Sequence, residues 1–182
     1  MKRNTLRTIT EGAVLTALAL ALSYIKIPIG LAFGGFGGSV DLVMIPIIIF
    51  ALRRGTLWGL GVGLVFGTLK FFLAGGVAVN WQSMLLDYSV AYMFVGFAGL
   101  LRGAKGALPL GALAGCLARF AVHFVSGVTI YRILVPTEIL GLTTGSSAVF
   151  SILYNGSYML PNTILAVVLC ALLKKPLEKI KF

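Results

Sequence analysis

Long uncharged apolar segments, repeated along the chain, limit what this sequence can fold into more than any other feature. Of its 182 residues, 59% are apolar and only 11% are charged, against about 25% charged residues in an ordinary soluble domain. A soluble protein of this length has no interior large enough to hide so much apolar surface. Runs of about 20 apolar residues match the hydrocarbon core of a bilayer. The sequence therefore predicts an integral membrane protein.

Glycine, proline and basic residues separate these runs and predict one all-α domain, residues 1–182, built as a bundle of six transmembrane helices. The expected helices cover approximately residues 8–26, 40–53, 55–74, 80–102, 107–131 and 146–174. Residues 27–40 hold one proline and five glycines, too many helix breakers, and we interpret them as a Gly-rich loop. The second helix is short for a core of about 30 Å, so we expect it to be tilted or to extend into that loop.

The basic residues predict the orientation. Eleven of the fifteen Lys and Arg residues lie near the N-terminus, in the turns at residues 53–54 and 102–105, and near the C-terminus. Cytoplasmic loops are enriched in Lys and Arg. We therefore expect both termini to be cytoplasmic and the Gly-rich first loop to be extracellular.

Several classes of function find no support in the residues. The net charge of +10 would suggest nucleic acid in a soluble protein, but here the basic residues end apolar segments and no nucleic-acid-binding motif is present. Cys116 and Cys170 are isolated in apolar stretches, and a single histidine is too few for a zinc site. The sequence has no GxxxxGK[ST], HExxH or CxxC motif. We expect no nucleic acid, cofactor or metal, and no catalytic residue.

Two helices carry rows of small residues at a spacing of four, which lets another backbone approach closely. The rows are Ala13, Ala17 and Ala21 in the first helix and Gly55, Gly59, Gly63 and Gly67 in the third. We interpret the glycine row as packing inside the bundle rather than as an oligomer face. The alanine row lies on a first helix at the edge of the bundle, where it can face a partner.

Ionisable side chains inside membrane spans are functional candidates. Asp87 lies in the middle of the fourth helix, and Arg119 and His123 share one face of the fifth. A polar seam runs along the sixth helix at Ser151, Asn155, Tyr158 and Asn162. We expect Asp87, His123 and Asn155 to face one cavity. The alternative is a buried Asp87–Arg119 ion pair, with the other polar groups as hydrogen bonds between helices.

Aromatic residues accompany these polar positions. Aromatic faces with one carboxylate and a few neutral hydrogen-bonding groups suit a flat, cationic heteroaromatic ligand, which the rings attract by stacking and cation–π interaction. The candidate binding residues are Trp81, Asp87, Tyr88, His123, Gly127, Tyr131, Phe150, Ser151 and Asn155.

Five segments, in order along nearly the whole chain, resemble the thiamine-specific S components of energy-coupling factor (ECF) vitamin transporters. They are Ser39–Pro46 (SVDLVMIP), Ala51–Gly55 (ALRRG), Leu85–Tyr88 (LLDY), Arg119–Gly127 (RFAVHFVSG) and Tyr154–Tyr158 (YNGSY). The resemblance implies a multi-pass subunit of the bacterial cell membrane that captures thiamine from outside. It also implies two kinds of partner, a transmembrane T component and a pair of ABC-type ATPases. Ala13 and Ala17 match the family's contact with the T component.

The family's pocket lies near the extracellular side, between helices four to six and the first loop. Its residues match Asp87, Tyr88, His123 and Asn155. This chain has Tyr131 where the family has a stacking Trp, Phe150 where it has a Tyr, and Asp87 where it often has a Glu. Stacking is retained, while one hydroxyl is lost and the carboxylate is one methylene shorter.

Two alternatives remain open. The chain could be an S component for another vitamin or a thiamine precursor, such as the pyrimidine half of thiamine. It could instead be a small polytopic membrane enzyme that uses Asp87 and His123 as acid and base. Neighbouring genes for two ATPases and a T component would favour transport.

Overall fold

Six helices contain most of the residues that the computed structural model describes, which are 3–29, 37–134, 137–139 and 141–178. They are α1 (Arg3–Leu22), α2 (Met44–Arg54), α3 (Thr56–Leu73), α4 (Trp81–Leu101), α5 (Ala107–Thr129) and α6 (Ser147–Glu178). All except α2 are long and apolar enough to cross a membrane. With 11 residues, α2 is only about 16 Å long, against a hydrocarbon core of about 30 Å.

The short helix α2 lies at the centre of the bundle. A helix that is apolar all round is typically buried on every side. Ile47, Ile48 and Phe50 are completely buried, and Ile47 and Ile48 belong to a core that includes Phe66 of α3 and Cys116 of α5. The central position explains why the sequence of α2 shows no polar face.

The glycine row of α3 packs against α4. A Cβ atom on Gly63 would lie 2.1 Å from the carbonyl oxygen of Tyr92, and one on Gly67 would lie 2.2 Å from that of Tyr88. No side chain fits at such distances, so the expected packing of this row inside the bundle is confirmed. The close approach brings the last turns of α3 next to the part of α4 that carries the candidate site.

Helix α4 changes its geometry along its length. It begins as a short α-helix, widens to a π-helix over Leu85–Val90, returns to α over Ala91–Val95 and ends as a 3₁₀-helix over Gly96–Leu101. Asn80 caps it, because its side chain accepts from the backbone N–H of Ser83 in a capping box. Single π-helical turns are rare and frequent at functional sites, and this one carries Asp87.

Two short antiparallel ribbons correct the expected all-α fold. β1 (Ile27–Pro28) pairs with β2 (Ser39–Val40), and β3 (Thr137–Ile139) pairs with β4 (Leu142–Thr144). Strands of two or three residues are too short to give an alternating sequence pattern. Residues 30–36, which hold three of the five glycines in the predicted loop, lie outside the described residues, as do residues 1–2, 135–136, 140 and 179–182.

Several expected helix ends need correction. Helix α1 covers Arg3–Leu22 rather than 8–26, and it ends where the Ser23 hydroxyl donates to the carbonyl of Leu20 at 2.5 Å and competes with the helical bonds. Helix α2 begins at Met44 rather than at residue 40. Before it, the backbone N–H of Val43 donates to the Asp41 carboxylate at 3.3 Å.

The last two helices also differ from their expected bounds. Helix α5 ends at Thr129 rather than at residue 131, and a 3₁₀ turn follows at Tyr131–Leu134. Helix α6 continues past residue 174 to Glu178 and includes Pro176. A proline removes one helical hydrogen bond, which is tolerated here because residues 171–176 are largely exposed.

Candidate functional site

A cavity lies at the end of the bundle where α4 begins and α5 ends. The space free of protein atoms is about 620 Å³, a volume that includes open solvent at its mouth. It is lined by Gly38, Ser39, Lys70, Val77, Asp87, Tyr88, Tyr92, Arg119, His123, Gly127, Tyr131, Phe150, Tyr154, Asn155 and Tyr158. The expectation that Asp87, His123 and Asn155 face one cavity is confirmed.

Asp87 and His123 contact each other directly. The Oδ1 atom of Asp87 lies 3.1 Å from Nδ1 of His123, and the two side chains are 16% and 6% exposed. The other ring nitrogen of His123, Nε2, is buried without a hydrogen-bond partner among the described residues. The pair therefore combines a carboxylate and an unused imidazole nitrogen in a largely buried position at the cavity.

Asn155 is held in place by its neighbours. Its Nδ2 atom donates to the carbonyl of His123 at 3.2 Å and to Oγ of Ser151 at 3.1 Å, and its Oδ1 accepts from the Tyr158 hydroxyl at 2.6 Å. Ser151 does not line the cavity and acts behind Asn155, where its hydroxyl donates to the carbonyl of Phe124. A Cβ atom on Gly127 would lie 2.1 Å from Oγ of Ser151, so glycine permits this close contact of α5 and α6.

Aromatic rings form much of the wall. Phe150 and Tyr154 stack with their ring centroids 5.6 Å apart and an interplanar angle of 7°. The hydroxyl of Tyr154 donates to the carbonyl of Gly37 at 2.6 Å, which ties α6 to the first loop. The hydroxyl of Tyr88 accepts from the backbone N–H of Val77 at 2.8 Å.

Tyr131 reaches the site from the 3₁₀ turn after α5. Its hydroxyl interacts with Ser83 and with the carboxylate of Asp87. Burial, followed by the negative charge of Asp87, raises the pKa of the Tyr131 hydroxyl. The group therefore stays protonated at physiological pH and is available as a hydrogen-bond donor.

Trp81 corrects the expected set, because it lies away from the cavity. Its side chain is 66% exposed. It is not among the residues that line the cavity, whereas Asp87 is. An exposed Trp at the end of a membrane-length helix is typical of the membrane–water interface.

Asp41 and Lys70 belong to the same region but are not among the candidate residues expected from the sequence. The Nζ atom of Lys70 lies 2.8 Å from Oδ2 of Asp41 and donates to the hydroxyl of Tyr92 at 2.7 Å. Arg119 donates to the same hydroxyl at 3.0 Å, and its guanidinium lies 4.1 Å from the Tyr92 ring centroid. The alternative Asp87–Arg119 ion pair is not formed. In the sequence, the feature that could have indicated this pair is the presence of two ionisable residues, Asp41 and Lys70, within or next to apolar segments.

Ala13 and Ala17 lie at a different surface. Both are exposed and line an apolar groove between α1 and α3, together with Trp58 and Val62. Ala21 is exposed as well but does not line the groove. None of the three is among the residues that line the cavity.

Five membrane-length helices and a polar, aromatic cavity at one end of the bundle define a multi-pass membrane protein with a small-molecule site. Residues 9–181 match the model of the family described as Thiamine transporter protein (Thia_YuaJ), and the chain belongs to this family.

Individual relatives agree with the family. The chain is 31% identical to thiamine transporter ThiT of Bacillus subtilis (strain 168), in a match that covers 89% of this chain and 88% of the relative. It is 30% identical to thiamine transporter ThiT of Lacticaseibacillus paracasei, over 91% and 85% of the two chains. A solved structure of ThiT from Listeria monocytogenes is similar with a TM-score of 0.80 and 26% identity, over 97% of this chain and 98% of that one. Family and fold indicate a transport protein rather than an enzyme.

Proposed function

We propose that this chain is the substrate-capture subunit of a thiamine uptake system in the bacterial cytoplasmic membrane. The observation that carries the proposal is the Asp87–His123 pair inside a cavity with aromatic walls. Membership of the thiamine transporter family supports the choice of ligand.

The chemistry of thiamine suits such a cavity. Its thiazolium ring has a permanent positive charge, and its aminopyrimidine ring both donates and accepts hydrogen bonds. A carboxylate in a low-dielectric site attracts the charge or accepts from the amino group, and aromatic rings stack on flat cations. Asp87 supplies the carboxylate, and Tyr88, Tyr131 and Phe150 supply flat surfaces.

The other proposed binding residues complete the polar side of the cavity. His123 and Asn155 offer hydrogen bonds to the aminopyrimidine, and Gly127 permits the close contact with Ser151 next to them. Ser151 acts as a positioning residue, because it holds the side chain of Asn155. Trp81, whose side chain is exposed, has no part in the proposed site.

The proposed topology has six helices in the membrane, with both termini in the cytoplasm and the first loop outside. Basic clusters support this orientation, since Arg53, Arg54, Arg102 and Lys105 occupy connections at the end of the bundle opposite the cavity. In this topology, five helices span the bilayer. α2 is too short to span it and is enclosed by these five. The cavity faces the extracellular side, where a vitamin is captured.

Energy for uptake is proposed to come from partners, namely a transmembrane T component and two ABC-type ATPases. The sequence holds no phosphate-binding loop of its own. The groove at Ala13 and Ala17 is the proposed contact with the T component, because small exposed residues in an apolar groove allow another helix to approach closely.

Competition binding tests the choice of ligand. Detergent-purified protein is loaded with labelled thiamine and challenged with unlabelled thiamine, the isolated pyrimidine half of thiamine, or riboflavin. We expect displacement by unlabelled thiamine at the lowest concentration. Stronger displacement by the pyrimidine half would assign the chain to a precursor, and the absence of thiamine binding would refute the proposal.

A further inference from the structure

A second groove lies between α1, α2 and α6, at the end of the bundle opposite the cavity. Its lining changes from polar to apolar along α1. Arg7 and Glu11 line it near the start of the helix, and Val14 and Leu15 line it about one turn further along. Ile49 of α2 also lines it. The groove therefore joins a charged surface at the end of the bundle to an apolar surface nearer its middle.

Basic side chains outnumber acidic ones in the charged part of this groove and next to it. Two guanidiniums share the carboxylate of Glu11, since Nε of Arg53 lies 2.6 Å from Oε1 and Nε of Arg54 donates to Oε2 at 2.6 Å. Arg7 lies four residues before Glu11 on the same face of α1, is exposed, and has no ion pair in the described part of the chain. These three arginines and one glutamate carry a net charge of +2, which favours an anion.

The groove occupies its own face of α1. None of the α1 residues that line it also lines the groove of Ala13 and Ala17. Its side chains Leu6 and Val14 are 54% and 62% exposed, so no helix in the described part of the chain covers them. A molecule in this groove and a partner at the alanine groove can therefore occupy α1 at the same time.

We propose that this groove binds an anionic phospholipid, with the headgroup phosphate beside Arg7 and acyl chains against Val14, Leu15 and Ile49. Anionic headgroups attract basic residues at a membrane surface, and the planar fork of a guanidinium matches a phosphate. The apolar wall next to the charges favours a lipid over a free anion, because it buries acyl methylene groups. The site goes beyond the proposed function and does not depend on thiamine.

Thermal unfolding of the purified chain in detergent tests the class of ligand. The protein is heated with phosphatidylglycerol, with phosphatidylcholine of the same acyl chains, or with glycerol 3-phosphate, which has the anion without the chains. Binding to the folded state alone raises the unfolding temperature by mass action. We expect phosphatidylglycerol to raise it by about 2–4 °C more than either of the others. Equal stabilisation by phosphatidylcholine, or by glycerol 3-phosphate, overturns the proposal.

A pair of matched variants tests the place of the headgroup. Arg7→Gln is expected to weaken the apparent affinity for phosphatidylglycerol about fivefold, as for the loss of one basic residue at a membrane surface. Arg102→Gln is the control, since Arg102 is exposed at the same end of the bundle but does not line the groove. Equal losses of affinity in the two variants would show attraction to the general positive charge and overturn the site.

Photocrosslinking of the parent protein decides the matter even if Arg7→Gln does not fold. Phosphatidylglycerol with a photoreactive group in its acyl chain is activated on the protein, and the labelled peptides are identified by mass spectrometry. We expect labelling of α1 near Val14 and Leu15, removed by unlabelled phosphatidylglycerol and not by phosphatidylcholine. Labelling spread evenly around the bundle, or removed equally by both lipids, overturns the proposal.

Discussion

At the scale of single residues, three elements hold the Asp87 carboxylate and the groups that contact it. The π-helical part of α4 carries it, His123 of α5 contacts it at 3.1 Å, and Tyr131 approaches from the turn after α5. These contacts hold the carboxylate at the wall of the cavity.

His123→Ala is expected to weaken thiamine binding by about 1–3 kcal/mol, or roughly 5- to 150-fold, because it removes one partner of Asp87 and one unused ring nitrogen. The dissociation constant from isothermal titration measures the effect, with folding checked by gel filtration. A change of less than about twofold in a folded variant would remove His123 from the proposed site.

Tyr131 allows its ring and its hydroxyl to be tested separately. Tyr131→Phe keeps the ring and is expected to cost about 0.5–1.5 kcal/mol, the net value of an ordinary hydrogen bond. Tyr131→Ala also removes the stacking surface and is expected to bind thiamine more weakly than Tyr131→Phe. Equal affinities of the two variants for thiamine would show that the ring does not contact the ligand.

Much of the cavity could be predicted from ionisable and aromatic residues inside apolar runs, since such groups rarely occur at membrane depth without a reason. Asp87, His123 and Asn155 were found in this way. Lys70 was not, because a lysine near the end of an apolar run is usually a flanking charge that reaches the interface. Only the fold reveals that it turns inward to Asp41.

At the scale of elements, the helices could be located from composition, while their ends and internal geometry could not. The π-helical turn of α4, which contacts α3 and α5, leaves no mark in the sequence. The expected end of the sixth helix at residue 174 is two residues before Pro176, but the helix continues to Glu178, since a proline in an exposed last turn removes only one helical hydrogen bond. The packing of the glycine row of α3 inside the bundle could be predicted, because two helix backbones approach closely only where the residues between them are small.

Gly67→Ala is expected to destabilise the protein by about 1–3 kcal/mol, as overpacking does, because its Cβ would meet the Tyr88 carbonyl. Gly61→Ala is the matched control on the same helix, since a Cβ there meets nothing within 4 Å. Thermal unfolding in detergent compares the two. A Gly67→Ala protein as stable as the Gly61→Ala protein would mean that α3 and α4 separate at no cost.

At the scale of the whole molecule, the cavity and the alanine groove lie on different surfaces. The cavity lies between α3, α4, α5 and α6 at one end of the bundle, while the groove runs between α1 and α3 on its side. The proposed binding of thiamine and the proposed contact with a partner therefore need not share residues. Glu11 fastens α1 to the end of α2 through Arg53, at 2.6 Å, and Arg54.

Ala13→Trp is expected to abolish thiamine uptake by cells while leaving binding by the purified chain intact, because a large ring fills the groove far from the cavity. Leu18→Trp is the matched control, since Leu18 is exposed on α1 but lines neither the groove nor the cavity. Uptake of labelled thiamine and titration of purified protein provide the two measurements. Loss of binding in Ala13→Trp, with Leu18→Trp intact, would show that the alanine row packs inside the bundle.

The most direct test of the account is the affinity of Asp87→Asn for thiamine, measured by isothermal titration beside the parent protein. Asparagine keeps nearly the same shape and removes the charge. We expect thiamine to bind the parent and to bind Asp87→Asn about 2–5 kcal/mol more weakly, or roughly 30-fold to several thousand-fold, as for the loss of a buried charged partner. The loss should exceed that in His123→Ala and in Tyr131→Phe. A well-folded Asp87→Asn protein that binds thiamine as tightly as the parent would contradict the proposed site.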